Sequence, residues 1–476
     1  MKLQRPILVG GLGLSFALWL LDTLQDSFVQ VGEVSLLSLI AVGGSLWLFK
    51  QNRSNHNIML QEELPSDRAT VENAISKAEA VVNQLASVAK DDTETKNFAC
   101  LLQNQISELQ AEIDRKEIQL AVTGGKFVGK TSIIQILQQN AVQLFANPKF
   151  YETAPLFLEG NADSKVLAHA TTYDYVLFVT NGDLTDTEYQ AWKQLNSTKG
   201  RAMLVFNKQD QYVPDERASI LSSLKQRLQC DVVTISASPV PIKVRKHSSD
   251  GTVQEWMEQS APEVQQLVEQ LSKVITSNSQ QLIWAATVKK ANLLKTEAKT
   301  ALNLVRVGQA NPVIEQHQWI AAAAAFANPL PVLDILATAA INAQMVIDLG
   351  NIYQQQFSLE QAKTVAAEMG GLMLKLGLVE LSTKAISTVL KTNAVTYAVG
   401  GVIQGISAAY LTRVAGLALV EYLQAQEISV SSGNPLNLDK LRQTLQNVFQ
   451  QNQQVALLQG FVSQGVKRLV PASECV

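Results

Sequence analysis

Hydrophobic residues change their spacing along the chain, and each change predicts a different kind of element. Residues 7–21 (ILVGGLGLSFALWLL) and 34–49 (VSLLSLIAVGGSLWLF) are continuous apolar runs without a charge. From Val71 the apolar positions recur every three or four residues through Ile75, Ala78, Val82, Leu85 and Ala89. They do so again through Phe98, Leu102, Ile106, Leu109 and Ile113. That spacing predicts two amphipathic helices, broken at Asp91-Asp92-Thr93. Short apolar runs follow at residues 118–123 (IQLAVT), 175–180 (YVLFVT), 202–206 (AMLVF) and 231–235 (DVVTI). Such runs, spaced by helical stretches, predict a mainly parallel sheet buried on both faces. From about Ala261 the pattern is helical throughout.

The two uncharged runs are short for spanning helices, which need roughly 17–25 residues. Trp19 and Trp47 suit a membrane interface, and the short polar link between the runs makes them a helical hairpin. Lys2 and Arg5 precede the first run and Lys50 and Arg53 follow the second, whereas the link carries Asp22, Asp26 and Glu33. The positive-inside rule then places both chain ends on the cytoplasmic side. A cleaved signal peptide fits poorly, because no A-x-A-like site follows and a second apolar run does. A buried soluble hairpin is the alternative.

The first predicted strand runs directly into Gly124-Gly125-Lys126-Phe127-Val128-Gly129-Lys130-Thr131-Ser132, and a helical stretch follows. This fits GxxxxGK[ST] in the strand–loop–helix setting that the motif requires. Glycines let successive backbone N–H groups turn toward phosphate oxygens, and the helix adds its positive end. Lys130 is placed to reach the β- and γ-phosphates and the Thr131 hydroxyl to ligate Mg²⁺. A polar turn, Asn207-Lys208-Gln209-Asp210, follows the strand at 202–206, and Ser236-Ala237 follows the strand at 231–235.

These motifs, in this order, resemble the Era/Der-like branch of the TRAFAC-class GTPases. The resemblance implies guanine specificity and GTP or GDP as ligand. It assigns Asp210 to the guanine N1 and N2 hydrogens, Asn207 to bracing the loops, and the Lys208 stem to the face of the base. It assigns a backbone N–H of the Ser236-Ala237 pair to O6. It also implies a DxxG motif, whose Asp holds the Mg²⁺ shell and whose Gly senses the γ-phosphate. No DxxG precedes the strand at 175–180, where residues 156–163 read LFLEGNAD. Glu159 and Asp163 are the carboxylates in that stretch, and Thr153 is a candidate second contact for the metal. No Gln or His is placed to orient an attacking water, so binding is expected and hydrolysis stays open.

Farther on, residues 239–246 (PVPIKVRK) and 252–256 (TVQEW) flank an Asp-Gly turn and predict a β-hairpin. The stretch from Ala327-Asn328-Pro329-Leu330-Pro331 through about Tyr422 resembles the uncharacterised domain of YcjF-like bacterial membrane proteins, which brings no chemistry with it. Within it, residues 394–412 carry no charge until Arg413, and Gly400, Gly401, Gly405 and Ala409 allow close helix approach. This segment is either a membrane-inserting helix or a packed core helix, and its mid-segment Gln404 favours the latter. Asp334, Asn342, Gln344 and Asp348 predict an internal polar network.

The expected organisation is thus a transmembrane hairpin at 1–52, a helical stalk at 53–117 and an α/β P-loop domain at 118–278. An all-α domain at 279–430 and a helical tail at 431–476 complete it. Expected partners are the lipid bilayer and a guanine nucleotide, with homo-oligomerisation through the stalk or helical domain left open. Composition adds two limits. Charged residues are only 17% of the chain against 47% hydrophobic, which suits a membrane protein. Lys and Arg total 39 against 42 Asp and Glu, so bulk charge offers nucleic acid no attraction. Cys100, Cys230 and Cys475 lack the spacing of a disulfide or zinc framework.

Overall fold

A computed structural model describes residues 64–469, apart from 66, 90–91, 141–147, 159–162, 198–199, 248–252, 328–330, 393–399, 426–436 and 453–454. The apolar runs at 7–21 and 34–49 lie outside the described residues, as do Glu159 and Cys475. Side chains at 331–339, including Asp334, lie outside them too.

The two periodic runs form helices α1 (Arg68–Val88) and α2 (Thr93–Glu112). The acidic break between them caps the second helix: the Asp92 carboxylate accepts the Glu94 N–H at 3.1 Å. Their apolar faces meet each other and also the middle of a much longer helix, described below. Val71, Ile75, Val82, Leu85, Leu102 and Ile106 pack with Ala291, Leu294, Ala298 and Leu302. The stalk is therefore one side of a three-helix bundle rather than a free pair.

The main sheet has strands β1 (Gln119–Gly124), β2 (Lys149–Glu152), β3 (Tyr175–Thr180), β4 (Ala202–Phe206) and β5 (Val232–Thr234). They lie in the order β2-β1-β3-β4-β5, every pair parallel. Helices α3 (Lys130–Gln139), α4 (Asp163–Ala170), α5 (Asp186–Leu195) and α6 (Pro214–Leu228) connect them. Alternation along each strand sends side chains to opposite faces. Leu120, Val122, Leu177, Val179 and Val205 pack with Ile133 and Leu137 of α3 and with Leu267 and Leu271. Ala121, Val176, Phe178, Leu204 and Phe206 pack with Leu167, Trp192 and Leu224 of α4 to α6. Both faces are dry, which is why these strands read as unbroken apolar runs.

The chain leaves β1 for β2 on one side and then crosses to β3 on the other. The order reverses between β1 and β3, and ligands of such sheets bind outside the strand C-termini at that reversal. A buried ion pair anchors the other end of the same strands. Asp174, with no exposed surface, accepts both Nη groups of Arg115 at 2.7 and 2.8 Å and the Gln119 N–H at 2.7 Å. Arg115 follows the stalk, so this pair ties the stalk to the start of β1 and β3.

The predicted hairpin is a separate two-stranded sheet, β6 (Ile242–His247) and β7 (Val253–Glu258), antiparallel in register. Glu255 bridges Lys243 and Arg245 across it. Helix α7 (Gln265–Ala327) then runs for 63 residues without a break, across the boundary expected at 278–279. Its first turns cover the sheet, its middle meets the stalk, and its end enters the helical domain.

That domain contains α8 (Pro331–Ile352), α9 (Leu359–Lys375), α10 (Leu378–Thr392), α11 (Gly400–Ala425), α12 (Leu438–Asn452) and α13 (Val455–Leu469). By length and composition α11 is apolar enough to cross a membrane, yet most of its central surface is buried against neighbouring helices. Ile406, Tyr410, Val414 and Leu419 sit in one core with Met345, Met369, Leu445 and Phe449. The C-terminal tail docks on this core through α12 and α13. Gln344 and Asp348 pair at 2.9 Å on an exposed face, with Asp348 reaching His317 at 3.4 Å. They form a rim contact rather than the internal network expected, because Gln344 points outward.

Replacing Asp174 with Asn should destabilise the protein by about 3–5 kcal/mol in urea denaturation, since it removes the close, buried counter-ion of Arg115 and leaves only Glu112, at 4.0 Å. An Arg115→Ala, Asp174→Asn double variant should lose less than the sum of the two single losses.

Candidate functional site

Every segment singled out for chemistry emerges at the carboxyl end of a strand. The loop after β1 turns sharply because only glycine fits at two of its positions. Gly124 has φ +148°, and a Cβ there would lie 2.3 Å from the Val179 carbonyl oxygen of β3. Gly129 has φ +94°, and its Cβ would lie 2.3 Å from the Asn207 side chain. Between them Phe127 holds φ +61° and is 76% exposed, with the Lys126 ammonium 4.9 Å from its ring centre. A bulky residue in the left-handed region is strained, and such strain gathers at ligand-holding loops.

Lys130 opens α3 with its side chain folded back under this loop. Its ammonium donates to the carbonyl oxygens of Gly124 at 3.1 Å and Gly125 at 2.8 Å. Burial pushes its pKa below the usual lysine range, partly offset by the Glu152 carboxylate. The next residue, Thr131, donates its hydroxyl to Glu152 Oε2 at 2.8 Å. Ser132 follows in the first turn of the same helix.

Glu152 is a functional candidate that the sequence reading missed. It ends β2, the strand beside β1, in register with Val122. The resemblance implies a carboxylate within 156–163; the structure sets a different one, Glu152 at the end of β2, against Thr131. The visible signal was an acidic residue closing the short strand Lys149–Glu152. Thr153, expected to contact the metal, turns inward instead. It is buried and donates to the Thr123 hydroxyl at 2.8 Å, because strand alternation sends it away from its neighbour Glu152. Asp163 accepts the Phe157 N–H at 3.1 Å at the start of α4 and has no contact with Thr131.

Thr131 and Glu152 fit a Mg²⁺ ion. Both offer hard oxygen donors, and Mg²⁺ takes one or two protein oxygens, phosphate oxygens and waters. Among the described residues no group of three or more His, Cys, Asp or Glu side chains gathers to hold a metal. Thr131 and Glu152 are the residues that would hold such an ion.

Asn207 joins the loops. Its Nδ2 donates to the Val128 carbonyl at 2.8 Å, and its Oδ1 accepts the Ala237 N–H at 3.0 Å. The tip of the loop, Lys208, has φ +63°. Asp210 accepts from the Ser236 hydroxyl and from the Val240 N–H at 3.0 Å, so its carboxylate is held in one orientation. Each carboxylate oxygen retains lone-pair capacity for a further donor. The N–H groups of Ser236 and Ala237 already donate to Glu263 O and Asn207 Oδ1. Recognition of a carbonyl such as guanine O6 by this pair would trade one of those bonds. A cleft of about 450 Å³ opens beside Asp210 and Ser236, walled by Pro239, Val240 and Glu263.

Residues 289–454 match the family model described as a domain of unknown function, DUF697. No curated protein matches the chain. Among solved structures, similarity is found to a GTP-binding protein from Sulfolobus solfataricus in complex with GDP. Identity is 15%, over 34% of this chain and 61% of that one, with a TM-score of 0.20. The chain thus spans under two thirds of that protein's length. The LeoA bacterial dynamin GTPase from ETEC is 12% identical over 84% of this chain and 94% of its own, with a TM-score of 0.23. An LAO/AO transport system kinase is 12% identical over 57% of this chain and 97% of its own, with a TM-score of 0.27.

A phosphate ligand bound over this loop requires the charged form of Lys130. Its affinity should therefore fall as pH rises through the lowered pKa, by about tenfold per pH unit above it. The fall should begin at a lower pH than for an ordinary lysine. Titrating a fluorescent nucleoside phosphate across alkaline pH checks this.

Proposed function

We propose that this chain is a membrane-anchored guanine-nucleotide-binding protein that turns GTP over slowly or only with a partner. The observation that carries the reading is a convergence at the strand C-termini. Lys130, the Thr131–Glu152 pair and the Asn207–Asp210 loop all meet there, clamped by Asn207. The order of the P-loop, NKxD and SA segments supports an Era/Der-like, TRAFAC-class nucleotide domain. The charges flanking the apolar runs at 7–21 and 34–49 support an anchor with both ends, and the nucleotide domain, on the cytoplasmic side.

Each side chain then has a task. Loop N–H groups from Gly125 to Ser132 and the N-terminus of α3 receive the phosphates. The Lys130 ammonium exchanges the Gly124 and Gly125 carbonyls for phosphate oxygens, which are stronger acceptors. Thr131 and Glu152 hold Mg²⁺, which when bound neutralises charge on the phosphates. Asp210, fixed by Ser236 and Val240, accepts the paired N–H donors of guanine, a pair that adenine lacks. The Lys208 stem covers the base. As a switch, the protein would change how its helical domain meets the membrane or a partner as the nucleotide changes.

A second reading is a scaffold that binds nucleotide without hydrolysing it. It is favoured by the absence of a DxxG motif before the strand at 175–180.

Nucleotide titrations of the full chain in nanodiscs test the binding reading. GTP should bind at least about a hundredfold more tightly than ATP, because the Asp210 carboxylate is left unpaired by adenine. Equal affinities would remove the guanine assignment. Lys130→Ala should weaken GTP at least about tenfold, and unchanged affinity would remove the P-loop assignment. Turnover measured with and without liposomes separates the forms: stimulation supports a switch or a dynamin-like remodeller, and none supports the scaffold.

A further inference from the structure

Three of the buried cations described above rest on oxygen. Arg115 is held by the Asp174 carboxylate, Arg201 donates to the Thr171 and Tyr173 carbonyls, and Lys130 donates to those of Gly124 and Gly125. Arg306, on α7 in the helical domain, has no such support. It is only 5% exposed, and its Nε and Nη2 are sealed from solvent without a hydrogen-bond partner. Its guanidinium carbon lies 5.3 Å from the centre of the Tyr353 ring, the one attraction resolved for its charge among the described residues. Burial lowers its pKa, yet arginine stays charged inside proteins. A ring face recovers less than a buried charge loses when it has no counter-ion. Carboxylates on neighbouring helices are engaged elsewhere: Asp348 with His317, Glu315 with Arg468, and Glu360 with Lys363.

The two unpartnered nitrogens form one edge of the guanidinium fork, where two N–H bonds run side by side. That edge matches two oxygens of a single carboxylate or phosphate group. The Tyr353 hydroxyl accepts from Gln424 Nε2 at 3.1 Å and keeps its own proton to donate. We infer that Arg306, with Tyr353, binds a small free oxyanion inside the helical domain. The sealed edge decides the size. A headgroup tethered to a bilayer, or a carboxylate on a partner's surface, cannot follow its charge into a closed core. A small anion can enter through a local opening and be enclosed. Arg306 stands four residues beyond Leu302, which packs on the stalk, and four before Ala310 of the helical core. An anion there ties the end of α8, and through Gln424 the end of α11, to α7 at the point where α7 passes from one to the other.

The inference is independent of the guanine-nucleotide reading, and its test takes the phosphate loop out of play with Lys130→Ala. The full chain carrying that substitution, in phosphatidylcholine nanodiscs, is dialysed to equilibrium against labelled inorganic phosphate and, separately, labelled acetate. Saturable binding of about one equivalent of either anion is expected, one site per Arg306 fork. Adding Arg306→Met should weaken it at least about tenfold, the usual weight of a hydrogen bond to a charged group. Arg306→Lys keeps the charge without the fork and should also weaken it. As a second readout, the bound anion should raise the melting temperature of the Lys130→Ala chain and leave that of the Lys130→Ala, Arg306→Met chain unchanged. Absence of saturable binding by both anions overturns the inference, and the charge is then met by the chain itself. Binding undiminished in a folded Arg306→Met chain also overturns it and marks an adventitious ion only. Should both Arg306 variants fail to fold, the anion count on the Lys130→Ala chain decides alone.

Discussion

The site depends on one residue, Asn207, whose side chain and backbone N–H together hold three segments at fixed distances. One end of its amide donates to Val128 in the phosphate loop and the other accepts from Ala237 after β5. Its backbone N–H donates to Thr180 at the end of β3. A buried amide with both ends satisfied is rigid, because losing either partner would strand a polar group away from water. The contact is also why Gly129 must be glycine: the amide occupies the space a Cβ would need. The Val128, Thr180 and Ala237 segments are thereby set in register before any ligand arrives.

The same logic extends outward through Glu263. Its carboxylate accepts from Gln209, beside Asp210, and its backbone exchanges two hydrogen bonds with Ser236. Two residues later α7 begins and runs to the helical domain. A helix is stiff, and its first turns are part of the sheet's own core through Leu267 and Leu271. The loop at 207–210 is thus mechanically continuous with the helix that carries the stalk contacts and the C-terminal helices. The Arg115–Asp174 pair secures the opposite end of the sheet to the stalk. The α/β domain, stalk and helical domain share elements rather than linkers.

Local pattern was enough for much of this. Strands at 175–180 and 202–206 coincide with the apolar runs, because a sheet covered on both faces leaves no polar position to blur them. The phosphate loop was legible because its glycines answer a local backbone demand and its Lys and Thr follow at invariant offsets. The stalk helices were legible from period alone. Their third partner was not, since the apolar face of α7 at Ala291 to Leu302 lies some two hundred residues away. Glu152 was missed for a related reason: its meaning comes from β2 lying beside β1, a pairing between strands whose chemistry is backbone hydrogen bonding and leaves no mark on side-chain identity.

The sequence by itself determined the chemistry on offer: a glycine-rich loop ending in Lys130-Thr131, a polar Asn207–Asp210 turn, a set of apolar helices and two uncharged runs near the start. Those are properties of neighbouring residues, set by backbone freedom, side-chain polarity and period. Only the tertiary structure decided which groups meet. It put Glu152 rather than Thr153 opposite Thr131, because alternation along a strand turns adjacent side chains to opposite faces. It buried the central surface of α11 among other helices, although composition alone would also have let it span a bilayer. And it set Leu156 against Gly124 and Gly125 at the start of the phosphate loop, since contact between segments is a property of place and not of order along the chain.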